Sequence, residues 1–442
     1  MMKTLVERDA KLVATNQKLR FFPATITGGT GAVVTDGAGN QLLDMTGSWG
    51  AHGVGYANPR VTEAINRAAS RASGASILSS ISPEPLDLAE KILAEHTEPE
   101  DKRVLFGLSG SDANTSAISA VRLSTGRNTI VSFHGSYHGG FGVARGLSGL
   151  FVDGGETRDP DSVWLKYPSC DLTCVGETCA ARSRESLEEL QAALETHTVA
   201  AVIVEPIQAD GGILNPHPGY FAKAAALIRQ AGALLIMDEV KVGSGRTGKF
   251  HAFAHEDVTP DIVTYGKAIG GGLPLSLVVG PSSVLSSVPA SSLLTAAGNA
   301  VSCAAGAAVL ESLHEDGLIE NAAVRGSQLR AEVAELRGAS AVAEQAIRDT
   351  RGRGLAVGIE LVDPEHPESQ RSAAEFTHRV IFRMWELGVM AFLVRDNVIE
   401  FTPPLVLSDS QVSQAIETLG LALSDVKNGA VPPERLVEFA GW

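Results

Sequence analysis

ALLIMDEVKVGSGRTGKFHAFAHEDVTPDIVTYGKAIGGGLPLS, residues 233–276, contains two short apolar runs that each end on a charged side chain. ALLIM (233–237) runs into Asp238, and DIVTYG (261–266) runs into Lys267, with Gly270, Gly271 and Gly272 close behind. Apolar runs of this length, bounded by turn residues, read as buried strands. A carboxylate and an amine at strand ends are costly to desolvate unless they are paired or put to use. A lysine so placed is a nucleophile competent to form a Schiff base. The plain alternative is an Asp–Lys ion pair; the glycines, which let backbone approach a ligand closely, weigh against it.

Outward from this stretch the same pattern repeats. VLFGLS (104–109), TIVSFH (129–134) and AAVIVEP (200–206) are further strand-like runs. Helix-like spacing fills the gaps at 113–126, 184–197 and 219–232. Alternating strands and helices predict an α/β fold with an open, mostly parallel sheet covered on both faces. Ligands of such sheets bind beyond the carboxyl ends of the strands. From about residue 332 the texture changes to Gly turns, short strands and two helices (371–388 and 408–426), a smaller α+β domain. The expected division is 1–55 as an N-terminal segment packing with the small domain, 56–331 as the large domain and 332–442 as the small C-terminal domain.

Composition narrows the function classes. The 442 residues are 44% hydrophobic with a mean hydropathy of +0.09, enough apolar side chain for a large core. Lys and Arg total 36 against 51 Asp and Glu, a net charge of −15 that disfavours nucleic acid and anionic membrane as partners. The N-terminus lacks an apolar h-region, and the longest apolar runs are of strand length, so the expected location is cytoplasmic. Cys170, Cys174 and Cys179 cluster in SCDLTCVGETC, while Cys303 stands alone. No nearby His completes a zinc set, so the trio reads as a surface loop in a reducing compartment, with no metal.

Two strand-end loops add to the picture. In LSGSDANTSAI (108–118), Ser109, Gly110 and Ser111 open a helix and aim N–H groups and hydroxyls at one point, as suits a phosphate; ordinary helix capping is the alternative. In FHGSYHGG (133–140), Tyr137 and His138 stand among glycines, where an aromatic ring is free to lie on a planar ligand or to turn into the core.

Together these motifs, in this order and spacing, resemble the class III aminotransferases, pyridoxal 5'-phosphate enzymes of the fold type I, aspartate-aminotransferase-like architecture. The resemblance extends from DMTGSWGAHGVGYANP (44–59) to FTPPLVLSDSQV (401–412). It implies that Gly110 and Ser111, with Ser109, hold the cofactor phosphate, and that Tyr137 stacks on its ring, with His138 and Val240 beside it. It further implies that Asp238 pairs with the ring nitrogen and that Lys267 forms the Schiff base and then moves protons at the substrate Cα. Thr295, in LLTAAGNA, matches a residue that reaches the cofactor phosphate of a neighbouring subunit, which implies a homodimer.

A narrower resemblance, in KLRFFP (18–23), SWGA (48–51), DEVKVG (238–243), EFTPPL (400–405) and FAGW (439–442), is to the α-amino-ε-caprolactam and amino acid amide racemases of this family. Glu400 stands where relatives that bind a dicarboxylate use an arginine, a reversal suited to an uncharged amide or lactam. The alternative is that another arginine, such as Arg395, substitutes. Racemisation needs proton carriers on both faces of the substrate. Lys267 serves one, and Asp210, in EPIQADGG, is favoured for the other, with Tyr137 or a mobile Lys267 as alternatives. Trp49, Lys241 and Glu205 are expected in the substrate pocket; Glu205 matches a position that often pairs with the arginine absent here. Two other readings are a class III transaminase moving an amine between an ω-amino acid or amine and a keto acid, and an inert cofactor-binding protein.

Overall fold

A computed structural model describes all residues except 1, 72–73, 75, 171–176, 438 and 440–442. The chain forms two compact units, one of residues 51–54 and 59–320, the other of 1–50, 55–58 and 321–442.

The first unit is built on a seven-stranded sheet. From edge to edge its strands are Lys102–Gly107, Ser276–Pro281, Ile262–Tyr265, Leu234–Asp238, Val199–Val204, Thr129–Phe133 and Ser162–Leu165. All run parallel except Ser276–Pro281, which is antiparallel to both of its neighbours. Every residue of Val199–Val204 is buried, as expected of a strand covered on both faces. Ile118 and Val121 of the helix Gly110–Thr125 pack on Ile130, Ile203, Ile236, Ile262 and Val278 of the sheet. At about 25 cal/mol per Å² of apolar surface buried, such a layer is the main term holding the unit together.

Two strands were not expected from the sequence. Ser276–Pro281 follows the glycine turn after Lys267 with no intervening long helix, so it breaks the strand–helix alternation on which the reading relied. Ser162–Leu165 is an edge strand of four residues whose burial is partial, too short for a periodic signal.

In the other unit, Ile26–Thr30, Val33–Asp36, Gln41–Asp44 and Val389–Met390 form one sheet. A second, antiparallel sheet has the order Ile347–Arg353, Ala356–Leu361, Val398–Phe401, Phe392–Val394. Helices Gln370–Glu386 and Asp409–Lys427 pack against each other. The latter starts at a Ser408/Gln411 capping box, in which the side chain of each accepts the backbone N–H of the other.

Cys179 departs from the surface-loop expectation. It is buried in the first turns of the helix Glu177–Thr196 and is disulfide-bonded, a bond that the reading of a reducing compartment does not anticipate. Cys174, the Cys170 side chain and most of FAGW (439–442) lie outside the described residues. Cys303 is a buried free thiol, pushed up to about 12 by burial and by the charge of Glu84. Among the described residues no helix is long and apolar enough to cross a membrane, and no cluster of side chains is arranged for a metal ion.

Candidate active site

Beyond the carboxyl ends of the parallel strands lies a cavity of about 380 Å³. Ser109, Gly110, Ser111, Tyr137, His138, Glu205, Asp210, Asp238, Val240, Lys241 and Lys267 all line it. Residues far apart in sequence meet because each follows the end of a strand: Tyr137 after Phe133, Glu205 after Val204, and Lys267 two residues past Tyr265.

One end of the cavity is the start of the helix Gly110–Thr125. Ser109 is its N-cap: the Ser109 hydroxyl accepts from Asp112 N, and the Asp112 carboxylate accepts from Ser109 N at 2.9 Å and from Leu108 N at 3.0 Å. The capping reading of LSGS is thus met by Ser109 and Asp112. The cap occupies Ser109 and Asp112, whereas the first-turn N–H groups of Gly110 and Ser111 have no intrahelical acceptor and carry the positive end of the helix dipole. Gly110 also has a steric reason to be glycine. A Cβ there would lie 2.5 Å from Val240 Cγ1, and the missing side chain keeps the helix start open. A Cβ at Gly139, whose φ is +148°, would lie 2.7 Å from Ser111, whose hydroxyl accepts from Gly140 N at 3.0 Å.

Asp238 anchors the middle. His138 Nδ1 lies 2.7 Å from its Oδ2, and Asn114 Nδ2 donates to the same oxygen at 2.8 Å; Val240 N donates to Oδ1 at 3.0 Å. Asn114 in turn donates to the His138 carbonyl and accepts from the Thr264 hydroxyl at 2.7 Å. Asn114 and Thr264 escaped the sequence reading. The available signal was a polar residue on the same helical face as Gly110, three to four residues on. His138 Nε2 is buried with no hydrogen-bond partner among the described residues. A polar atom left in this condition, a helix start cleared of side chains and a fixed carboxylate together fit a group bearing a phosphate and a basic ring nitrogen.

Asp210 and Lys241 form an almost fully buried pair, with Nζ donating to Oδ1 at 2.7 Å. Burial alone would raise the Asp210 carboxyl, but the Lys241 and Lys267 charges and the Lys241 hydrogen bond hold it below its ordinary value. Glu205 is the reverse case. Burial and the neighbouring Asp238 and Asp210 raise its carboxyl well above the usual range, against hydrogen bonds from Tyr137 N at 3.1 Å and Ala209 N at 3.3 Å. Burial, followed by Asp210, also raises the Tyr137 phenol, despite Lys241 and Arg145, so it stays protonated. Next to the site, Glu239 accepts from Ala252 N and Phe253 N, and burial lifts its carboxyl to about 8. Lys267 itself sits in the left-handed region at φ +46°, a strained backbone of the kind that clusters at working sites.

The remaining expected residues lie elsewhere. Thr295 is exposed and does not line the cavity of its own chain. Trp49 and Glu400 belong to the other unit. Trp49 is half-buried in a turn where it and Ser48 are both left-handed, and its ring packs 4.6 Å from Phe392 and 6.1 Å from Phe21. Glu400 is a buried side chain in the strand Val398–Phe401, and Arg395 lies exposed at the preceding hairpin tip.

The family model for class III aminotransferases matches residues 14–423, so the chain belongs to this family, whose cofactor is pyridoxal 5'-phosphate. A leucine/methionine racemase from Thermococcus litoralis is 33% identical, over 99% of this chain and 99% of its own length. An acetylornithine aminotransferase from Mycobacterium tuberculosis is 35% identical, over 90% of this chain and 91% of its own. Among solved structures, a thermostable (S)-enantioselective omega-transaminase from Thermomicrobium roseum superposes with a TM-score of 0.85 at 28% identity, covering 96% of this chain and 98% of that one. The fold is thus that of the fold type I transaminases, and the chain is a class III pyridoxal-phosphate protein with relatives of two activities.

Proposed function

We propose that this protein is a racemase or epimerase of an amino compound whose carboxyl group is uncharged, an amino acid amide or a lactam such as α-amino-ε-caprolactam. The observation that carries this reading is the placing of two proton-carrying groups, Lys267 and Asp210, on the wall of one cavity. Further support comes from the cation inventory. No arginine lines the cavity among the described residues, and Lys241 is already matched to Asp210 at 2.7 Å. A free α-carboxylate would find no bidentate partner in that lining, whereas an amide carbonyl needs only a hydrogen-bond donor. The leucine/methionine racemase relative supports racemisation, with named substrates that carry a free carboxylate, and the charge reversal at Glu400 fits a protein that does not grip a dicarboxylate.

Pyridoxal phosphate, when bound, supplies an electron sink for the bond broken at the substrate Cα. Gly110 and Ser111 would hold its phosphate by their N–H groups, Tyr137 would cover its ring, and Asp238, fixed by His138 and Asn114, would face its ring nitrogen. Lys267 carries the proton at one face of Cα. Asp210, ionised beside Lys241, takes or returns it at the other. Thr295, exposed on its own chain, would serve the site of a second copy. The working form is then a homodimer, and light scattering that finds an active monomer would refute this part.

The test is exchange in heavy water. Both enantiomers of the amide should acquire deuterium at Cα with no keto acid present. Asp210→Asn should slow inversion by roughly a hundredfold or more relative to exchange at the Lys267 face. The competing reading, a class III transaminase, is favoured by the acetylornithine aminotransferase relative. Stoichiometric glutamate formation from 2-oxoglutarate, without inversion of the amide, would establish it instead.

A further inference from the structure

Three carboxyl side chains and two lysines line the cavity: Glu205, Asp210 and Asp238 against Lys241 and Lys267. Their partners differ. Asp210 has Lys241 at 2.7 Å, and Asp238 has His138, Asn114 and Val240 N. Glu205, only 5% exposed, has two peptide N–H groups and, among the described residues, no cation in contact. One of those N–H groups is that of Ala209, the residue before Asp210, so the Glu205 carboxyl sits directly under the turn that presents Asp210 to the cavity.

A racemase places a particular demand on its second face. That face must offer a base to one enantiomer and an acid to the other, so one proton must be both at hand and removable. Asp210 clamped by lysines is a ready base but holds no proton of its own. With all five groups ionised the lining carries one excess negative charge; with a single carboxyl protonated it is balanced.

We propose that Glu205 is the proton partner of Asp210, a buried carboxylic acid without a cation that lends its proton to Asp210 across the pocket, directly or through one water. The O–H bond breaks at Glu205 and forms at Asp210, and the negative charge moves from one carboxyl to the other. Net charge in the buried site is unchanged, so the transfer avoids the cost of bringing a new charge out of water. The raised proton affinity of Glu205 is consistent with its being the carrier, and two acids pushed apart in this way are a familiar arrangement for dividing acid and base roles. The groups facing Glu205 that also titrate or carry charge are Asp210, Asp238 and Tyr137, with Tyr167 donating to its backbone carbonyl at 3.0 Å and Lys241 and Lys267 beyond Asp210. Glu205 is on this view a positioning and relay residue; Asp210 remains the group that touches Cα.

This inference rests on the racemase reading, and the experiment separates the two. In the holoenzyme near neutral pH, infrared spectroscopy should show, beside the protonated carboxyl of Glu239 that every variant retains, a second carboxylic-acid band that shifts in heavy water and is lost in Glu205→Gln. The amide variant keeps the shape and the uncharged state but cannot give up a proton. With α-amino-ε-caprolactam as probe, its inversion should fall roughly tenfold to a hundredfold relative to deuterium exchange at the Lys267 face. A merely structural role would depress both together. The wild-type inversion rate should also fall as pH rises and the neutral form of Glu205 is lost, a limb that Glu205→Gln should lack. Absence of the second band in the wild-type protein, or a variant with the wild-type ratio of inversion to exchange, would overturn the proposal while leaving the racemase reading intact. A wild-type enzyme that transfers the amine without inversion would overturn the racemase reading, and the band alone would then decide the protonation of Glu205.

Discussion

Purified protein supplied with pyridoxal phosphate should absorb in the visible, and Lys267→Ala should lose both the colour and at least a thousandfold in turnover. With unbound cofactor removed, the retained colour would report an amine joined to the cofactor aldehyde, and Lys267 is the amine beyond the strand Ile262–Tyr265 within the cavity. The loss in turnover follows from the role proposed for the same side chain, proton carrier at one face, which is worth a hundred- to ten-thousandfold by itself. Lys267→Arg sharpens the test. It keeps the positive charge that lowers Asp210, but a guanidinium does not condense, so it too should be colourless. Both variants retain a non-glycine residue at φ +46°, so neither relieves the strain of that backbone. A coloured Lys267→Ala protein would remove the assignment.

Asp238→Asn should bind cofactor yet turn over about a hundred- to a thousandfold more slowly. The carboxylate accepts from His138, Asn114 and Val240 N, so all of its neighbours present donors. An asparagine satisfies one side with its oxygen and turns an N–H₂ group toward another donor on the other. That leaves a buried clash of donors costing about 1–3 kcal/mol, in addition to the loss of the negative charge that is proposed to face the ring nitrogen. Visible absorbance and kcat measured on the same preparation separate binding from turnover. Near-normal kcat would show that Asp238 does not hold that nitrogen's proton.

Much of the large unit could be read from the chain because buried parallel strands are continuous apolar runs, and the chemistry sits where those runs stop. Asp238 and Lys267 announce themselves as charges at the ends of such runs. Asn114 does not, since a single polar residue inside an otherwise ordinary amphipathic helix looks like surface until its partners Asp238 and Thr264 are known. Ser109 illustrates the converse: its sequence context fits both a cap and a phosphate ligand, and only the hydrogen bonds to Asp112 show that it caps the helix. The opposed behaviour of Glu205 and Asp210 was out of reach for the same reason. Both are acids near the end of one strand, and what distinguishes them is a lysine thirty-one residues later in sequence that reaches only Asp210. Local pattern fixes which residues border a site; proton affinities are set by contacts that no spacing encodes.

Glu239 and Glu205 also tie folding to proton uptake. In an unfolded chain both would titrate as ordinary carboxyls, whereas the folded protein holds a proton on Glu239 up to about pH 8 and holds that of Glu205 more tightly than usual. At Glu239 the native protein therefore binds more protons than the unfolded chain between about pH 4.5 and 8, and Glu205 acts in the same direction. Linkage requires the contribution of these two carboxyls to stability to decline as pH rises. Their contribution is complete below the unfolded carboxyl value and is lost as the folded value is passed. His96 and His251, lowered by burial to about 4 and about 3, act in the opposite direction below about pH 6.5. For a chain carrying a net charge of −15, alkaline solution also increases self-repulsion, so the two effects add. Mild acidity is the side on which these buried carboxyls favour the native state, and alkaline storage is the condition under which the protein gives up that margin.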